Sequence, residues 1–240
     1  MINIKSFVLR YIAPSTETAR NAWVIKQVLK ISKGKSILDV GAGEMPYKDY
    51  CKKLKYKSQD FGKYTGENVK TGIKSGKYNT QSVDIISDIT SIPVKNESFD
   101  YVLCTEVFEH IEDPLKALKE ISRINKSGLI LTAPFASLTH FYPYFFYTGF
   151  SDQFYKTHLP KFGYKIKEIY MYGNYFDLLG MEFMRLPLMV FGYNKILAPL
   201  TMPLFLLASP MLLFLRLLSK LYPQSNDTFC FGICVLARKS

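Results

Sequence analysis

Apolar positions recur along this chain in two rhythms. Short apolar runs bounded by glycine or polar residues predict strands at residues 36–40, 56–60, 83–86, 101–105, 128–132, 165–171 and 228–237. Longer stretches with apolar residues three and four apart predict helices between them. Residues 16–32 form the first, with Ala19, Ala22, Trp23, Ile25, Val28, Leu29 and Ile31 on its apolar positions, Ser15 or Thr16 as N-cap and Gly34 as stop. Residues 47–54, 114–124 (with Asp113 as N-cap) and 154–162 are the others. Residues 61–82 carry four glycines among polar residues and read as a loop. Strands alternating with helices predict an α/β fold whose parallel sheet is covered on both faces.

One stretch breaks this alternation. Residues 196–215, ILAPLTMPLFLLASPMLLFL, hold no charge over twenty positions, and they fall between the sixth and seventh predicted strands. That length just spans a bilayer, but Pro199, Pro203 and Pro210 oppose one regular helix. A single crossing would also strand the seventh strand on the far side of the membrane. The expectation is interfacial helices or a shallow hairpin; a buried cap or a homodimer interface is the alternative use. The chain therefore reads as one domain over 1–240: an N-terminal helical segment (1–32), a core (33–172), an apolar insertion (173–227) and a last strand (228–240).

Composition narrows the class. The chain has 240 residues, 48% of them apolar and 21% charged, which excludes a disordered polymer. Its mean hydropathy of +0.01 excludes a multi-span membrane protein. Four cysteines without a CxxC pair exclude a disulfide scaffold and predict reduced thiols in the cytoplasm. The opening residues lack the apolar core of a secretory signal. The formal charge is +11, with nine lysines between Lys48 and Lys77. No nucleic-acid motif accompanies them, so a solvated basic surface, or one facing anionic lipid at the inner side of the cell membrane, is expected instead.

Candidate chemistry starts at ILDVGAG, residues 37–43. A strand runs into Gly41 and Gly43, which allow a sharp turn and close backbone approach to a ligand. Asp39, at the end of the strand, suits an amine-bearing ligand better than a pyrophosphate. Asp60 ends the second strand, where a carboxylate can accept both hydroxyls of a ribose. Asp88, next to Ile89, ends the third and can take an adenine amine. Pro46 and Asp39 disfavour a nicotinamide dehydrogenase.

These segments, with Ile92–Pro93 and FDYVLCTEVFEHI at 99–111, resemble the class I S-adenosylmethionine-dependent methyltransferases, above all the branch with small-molecule, quinone and glycan substrates. The likeness covers 33–171 well and 229–238 more loosely. It implies a Rossmann-like, seven-stranded sheet with an antiparallel last strand and S-adenosylmethionine as cofactor. It also implies roles: Asp39, Gly41 and Gly43 at the methionine part, Asp60 at the ribose, Asp88 and Ile89 at the adenine, and Glu106 beside the sulfonium. The common loop D-x-G-x-G-x-G is not complete here, since Met45–Pro46 replaces its third glycine region.

Methyl transfer to a hydroxyl is an in-line displacement assisted by a base. His140, after the fifth strand, is the first candidate for that base, and His110 the second; His158, on a predicted helix, reads as structural or exposed. In ubiquinone-type O-methyltransferases an E-x-x-E-H segment like Glu106–His110 binds a divalent metal. Many relatives with the same letters bind none, and no metal is expected here. Seven aromatics in residues 141–150 could line an apolar acceptor site. The expected function is O-methylation of a small molecule, quinone, lipid or lipid-linked glycan at the membrane face. A cofactor-binding subunit that recruits a partner through its apolar insertion is the alternative.

Overall fold

The computed structural model describes residues 16–66, 71–73, 80, 82–194, 196, 199, 203 and 209–240. It divides into two compact units, one built from 20–170 and 232–240, the other from 1–19 and 171–231.

The larger unit is organised by a seven-stranded sheet of order β3-β2-β1-β4-β5-β7-β6. Its strands are β1 (Ser36–Val40), β2 (Lys55–Asp60), β3 (Ile85–Ile86), β4 (Phe99–Thr105), β5 (Asn125–Pro134), β6 (Tyr164–Tyr172, which runs on into the second unit) and β7 (Gly232–Lys239). The pairs β1–β2, β1–β4, β2–β3 and β4–β5 are parallel, and β5–β7 is antiparallel. The central strands are buried almost end to end, as expected of strands covered on both faces. Edge strand β6 instead alternates, with Lys165 and Lys167 exposed along it, a pattern that discourages edge-to-edge pairing.

Helices cover this sheet. Helix α1 (Thr16–Leu29) buries Trp23, Val24 and Val28. Helix α2 (Pro114–Ile124) starts where Asp113 accepts the Lys116 amide at 2.9 Å and Pro114 fills the first turn. It buries Ala117, Leu118, Ile121 and Ile124, one face at helical spacing.

Three helical expectations shift. The stretch 47–54 yields only a 3-10 turn, Lys48–Cys51. The Lys53 carbonyl is taken by the Gly34 amide at 2.9 Å and the Lys55 amide by the Lys35 carbonyl at 2.8 Å, so the chain is drawn into β2. The 154–162 helix begins earlier, as α3 (Asp152–His158), and Pro160, without an amide donor, restarts it as the 3-10 turn Pro160–Phe162. The first helix stops at Leu29 rather than Ser32, closing through Lys30 and Ile31 amides on the Gln27 and Val28 carbonyls.

In the smaller unit, helices α4 (Tyr175–Tyr193) and α5 (Ser209–Leu221) pack together, followed by a 3-10 turn at Pro223–Asp227. Asn174 caps α4, accepting the Phe176 and Asp177 amides at 3.1 Å. Its amide group donates to the Ser219 carbonyl at 3.0 Å, and the Ser219 hydroxyl donates to Asp177 at 2.8 Å, which fixes α5 to the head of α4. The stretch expected as strand from 228 pairs only from Gly232; Phe231 lies against Gly173, where a Cβ would come within 2.1 Å of its ring. Among the described residues no helix is long and apolar enough to cross a membrane. Of the uncharged run 196–215, most of 197–208 lies outside the described residues, as do residues 1–15 and most of 67–81.

Candidate active site

The loop after β1 is held by side chains from β2. Gln59 accepts the Gly41 amide at 3.3 Å, and the Gln59 carbonyl takes the Ala42 amide at 2.9 Å. The buried carboxylate of Asp60 accepts the Gly43 amide at 3.0 Å and the Gly62 amide at 2.9 Å. Asp60 thus ties two loops together at the end of β2. Gln59 also donates to the Ser87 carbonyl at 2.7 Å, which brings the end of β3 alongside. The sequence singled out Asp60 but gave Gln59 no role.

Gly41 sits at φ +65°, and a Cβ there would meet Val107 at 2.5 Å. Glycine is therefore required by the packing of Val107 as well as by the turn. Met45 occupies the third-glycine position and is itself left-handed, at φ +56°. A residue with a side chain thus takes the left-handed conformation here, at a cost in backbone strain.

Asp39 is buried inside β1 rather than open at its end. Tyr56 donates to Oδ2 at 2.8 Å, while Oδ1 has no hydrogen-bond partner. Burial pushes its carboxyl up to about 7; the Tyr56 hydroxyl offsets part of this and the Asp60 charge adds to it. Asp88 turns on itself, accepting the Thr90 amide and hydroxyl at 2.7 Å, which hold its carboxyl below the usual range. Ile89 beside it is buried.

Glu106 follows β4 at φ +53°. Its Oε1 accepts the Thr132 hydroxyl at 2.9 Å, and its Oε2 lies 3.0 Å from Nη1 of Arg20 on α1. Glu109 is buried, with Oε2 unpartnered; burial drives its carboxyl well above the normal range and the charge of Glu106 adds to this.

The structure brings His110 and His140 together, with ring centroids 4.8 Å apart. Nδ1 of His110 lies 2.6 Å from the Tyr144 carbonyl and Nδ1 of His140 lies 2.8 Å from the Leu138 carbonyl. A carbonyl only accepts, so both Nδ1 atoms carry a proton, and in a neutral ring the lone pair is on Nε2. Burial lowers the His110 pKa to about 4, and the proximity of His140 adds to that, so His110 is neutral at pH 7. One donor atom each from Glu109, His110 and His140 lies within 4.8 Å of the others, an arrangement that could hold a metal ion. The E-x-x-E-H segment alone contains two of these three; the third comes from the loop after β5.

Phe141 and Phe145 flank the two histidines. Tyr64 stacks on Phe141 at 4.1 Å, and Phe61 meets Tyr144 edge-on at 4.9 Å. The Ile73 amide donates to the Thr139 carbonyl at 2.8 Å, so Ile73 of the 61–82 loop is stitched to the segment that carries His140. Phe61, Tyr64 and Ile73 looked like plain loop residues in the sequence. His158 packs on Phe154, 4.9 Å between rings, and belongs to α3.

Residues 38–132 match the family model of a methyltransferase domain. Over that stretch the chain is similar to methyltransferase domains. Its fold is shared by solved structures of low identity. A candidate methyltransferase from Bacillus halodurans C-125 is 14% identical, with a TM-score of 0.53 over 92% of this chain and 99% of that one. A candidate sarcosine dimethylglycine methyltransferase from Galdieria sulphuraria is 16% identical, with a TM-score of 0.53 over 93% and 84%. The [4+2]-cyclase SpnF is 14% identical, with a TM-score of 0.52 over 92% and 80%. No curated protein sequence matches the chain.

Proposed function

We propose that this methyltransferase transfers its methyl group to a hydroxyl that sits against His140, with His140 Nε2 as the base. The observation that carries this reading is the 2.8 Å contact of His140 Nδ1 with the Leu138 carbonyl, which in the neutral ring leaves Nε2 as the acceptor. The hydroxyl oxygen attacks the sulfonium methyl in line, the carbon–sulfur bond breaks, and the proton passes to His140. The products are the methyl ether, S-adenosylhomocysteine and a proton.

In this reading Asp39, Gly41 and Gly43 meet the methionine part of the cofactor, Asp60 the ribose, Asp88 and Ile89 the adenine, and Glu106 the sulfonium end. The unpartnered Oδ1 of Asp39 fits a cationic ammonium. Asp60 retains lone pairs beyond the two amides it accepts. The aromatic wall of Phe141, Phe145, Tyr144 and Tyr64 supports a planar or apolar acceptor, a quinone, lipid or lipid-linked glycan, met at the cytoplasmic face of the membrane. Four buried cysteines outside any disulfide are consistent with a reducing compartment.

A second reading concerns activation of the hydroxyl. Against the sequence expectation of no metal, the unpartnered Oε2 of Glu109 and two converging imidazoles fit a divalent cation such as Mn²⁺ or Zn²⁺. Such an ion would lower the pKa of an acceptor hydroxyl. Loss of turnover in EDTA, restored by the added ion in the wild type but not in His110→Ala, would support it.

The fold does not oblige methyl transfer, since a cyclase shares it. Incubation with S-adenosylmethionine and a membrane extract decides between enzyme and non-catalytic subunit. Release of S-adenosylhomocysteine with a methylated lipid-phase product is expected. Cofactor binding without any release would favour the recruiting subunit.

A further inference from the structure

We propose that the α4–α5 unit is a docking surface for an anionic lipid bilayer, which α5 enters side-on. The inference goes beyond the catalytic reading and does not depend on it, because every residue it uses lies within the smaller unit.

Helix α5 has two apolar faces, where an ordinary surface helix has one. Leu212 and Leu215 are 3% and 7% exposed and turn inward with Ser219. Leu213, Phe214, Leu217 and Leu221 are 61%, 52%, 51% and 58% exposed. With about 3.6 residues per turn, these four fall on the opposite side of the helix from the buried pair. Helix α4, packed against α5, exposes Leu186 and Met189 in the same way. Single exposed leucines are ordinary, but an apolar stripe repeated on two adjacent helices marks an interaction surface.

The charges name the partner. Arg216 and Lys220 lie on one flank of α5, between its buried and its exposed face, where long basic side chains can reach phosphate groups while their stems stay in the apolar layer. From 183 to 226 the chain carries Arg185, Lys195, Arg216 and Lys220 and no acidic residue. Of the carboxylates on α4, Glu182 is paired with Arg185 at 2.6 Å and Asp177 accepts the Ser219 hydroxyl at 2.8 Å. A twofold contact between two copies would bring these cations together with no acid on α5 to pair them. An anionic bilayer supplies both an apolar interior and the missing negative charge.

The test uses the full chain and two kinds of vesicle, phosphatidylcholine alone and an equimolar mixture with phosphatidylglycerol. Co-sedimentation should show binding to the mixture at least about tenfold tighter than to phosphatidylcholine. Leu217→Asp with Leu221→Asp should reduce binding to the mixture by about tenfold or more. Arg216→Gln with Lys220→Gln, which leaves the apolar face intact, should remove most of the preference for the anionic vesicle. S-adenosylhomocysteine affinity, measured on the same samples, reports the methyltransferase unit separately, so failure of one reading is not failure of the other. A wild-type chain that stays in the supernatant with both vesicles would overturn the proposal. So would vesicle binding that both double variants leave unchanged, or a dimer in light scattering that Leu217→Asp with Leu221→Asp dissociates.

Discussion

Arg20 on the first helix holds Glu106 at the end of the fourth strand, Nη1 to Oε2 at 3.0 Å, while Thr132 takes the other carboxylate oxygen. Both oxygens of Glu106 are thereby committed, and the residue sits in a left-handed backbone conformation. An ion pair of this partial exposure contributes at most about 1 kcal/mol to stability. Its larger effect is to fix where the carboxylate points. Arg20→Met is therefore expected to lower stability by less than about 1 kcal/mol. It should weaken S-adenosylhomocysteine binding by about tenfold, since each 1.4 kcal/mol is tenfold. Calorimetric titration beside urea unfolding checks the two effects, and unchanged affinity would remove Glu106 from the cofactor site.

Asp39 predicts a pH dependence of stability. Its carboxyl titrates at about 7 in the folded chain, because of burial, against 3.8 when free. The folded state then binds the proton more tightly than the unfolded state. The associated stability is fully present below pH 3.8 and is lost as pH rises through about 7. Asp39→Asn, which keeps an acceptor for the Tyr56 hydroxyl, should raise the Tm at pH 8 and change it little near pH 4. The gain should be on the order of a few kcal/mol. If the unpartnered oxygen meets the cofactor's ammonium, the same variant should lose S-adenosylhomocysteine affinity. A Tm gain with unaltered affinity would assign Asp39 to the core alone.

The two histidines should separate in kinetics. His140→Asn is expected to abolish turnover while S-adenosylhomocysteine affinity stays within about twofold, because the base acts on the acceptor. His110 is neutral at pH 7, with its pKa lowered to about 4 by burial. His110→Asn should therefore leave any activity step near neutral pH in place and reduce the rate. Turnover that survives His140→Asn at the wild-type rate would end its role as base.

Gly41 is predicted to be among the least replaceable residues of the loop. An alanine Cβ would stand 2.5 Å from Val107 at a φ of +65°. Strain and overpacking together should cost about 2–4 kcal/mol, seen as a lower denaturation midpoint. Val107→Ala in the Gly41→Ala background should recover part of this loss, because it relieves the contact but not the backbone strain. A second-site change with no recovery would show that φ alone sets the cost.

Much of this was legible in the chain. The period-two and continuous apolar runs located all seven strands, since burial on both faces leaves a local signature in β1, β4 and β5. The glycine loop and the carboxylates near strand ends were legible because backbone geometry restricts residue type. At 47–54 prediction and structure part because of a non-local bond: the Gly34–Lys53 contact cuts the expected helix to one turn. Sequence by itself determined the fold class, the loop that ends at Gly43 and the presence of an uncharged run before the last strand. Only tertiary structure decided that Arg20 meets Glu106, that Asp39 is sealed against Tyr56, and that His140 joins Glu109 and His110. The physical reason is distance along the chain. Periodicity and turn chemistry act over a few neighbouring residues, whereas these contacts join positions up to 86 residues apart, and only packing of the sheet and its loops closes that gap.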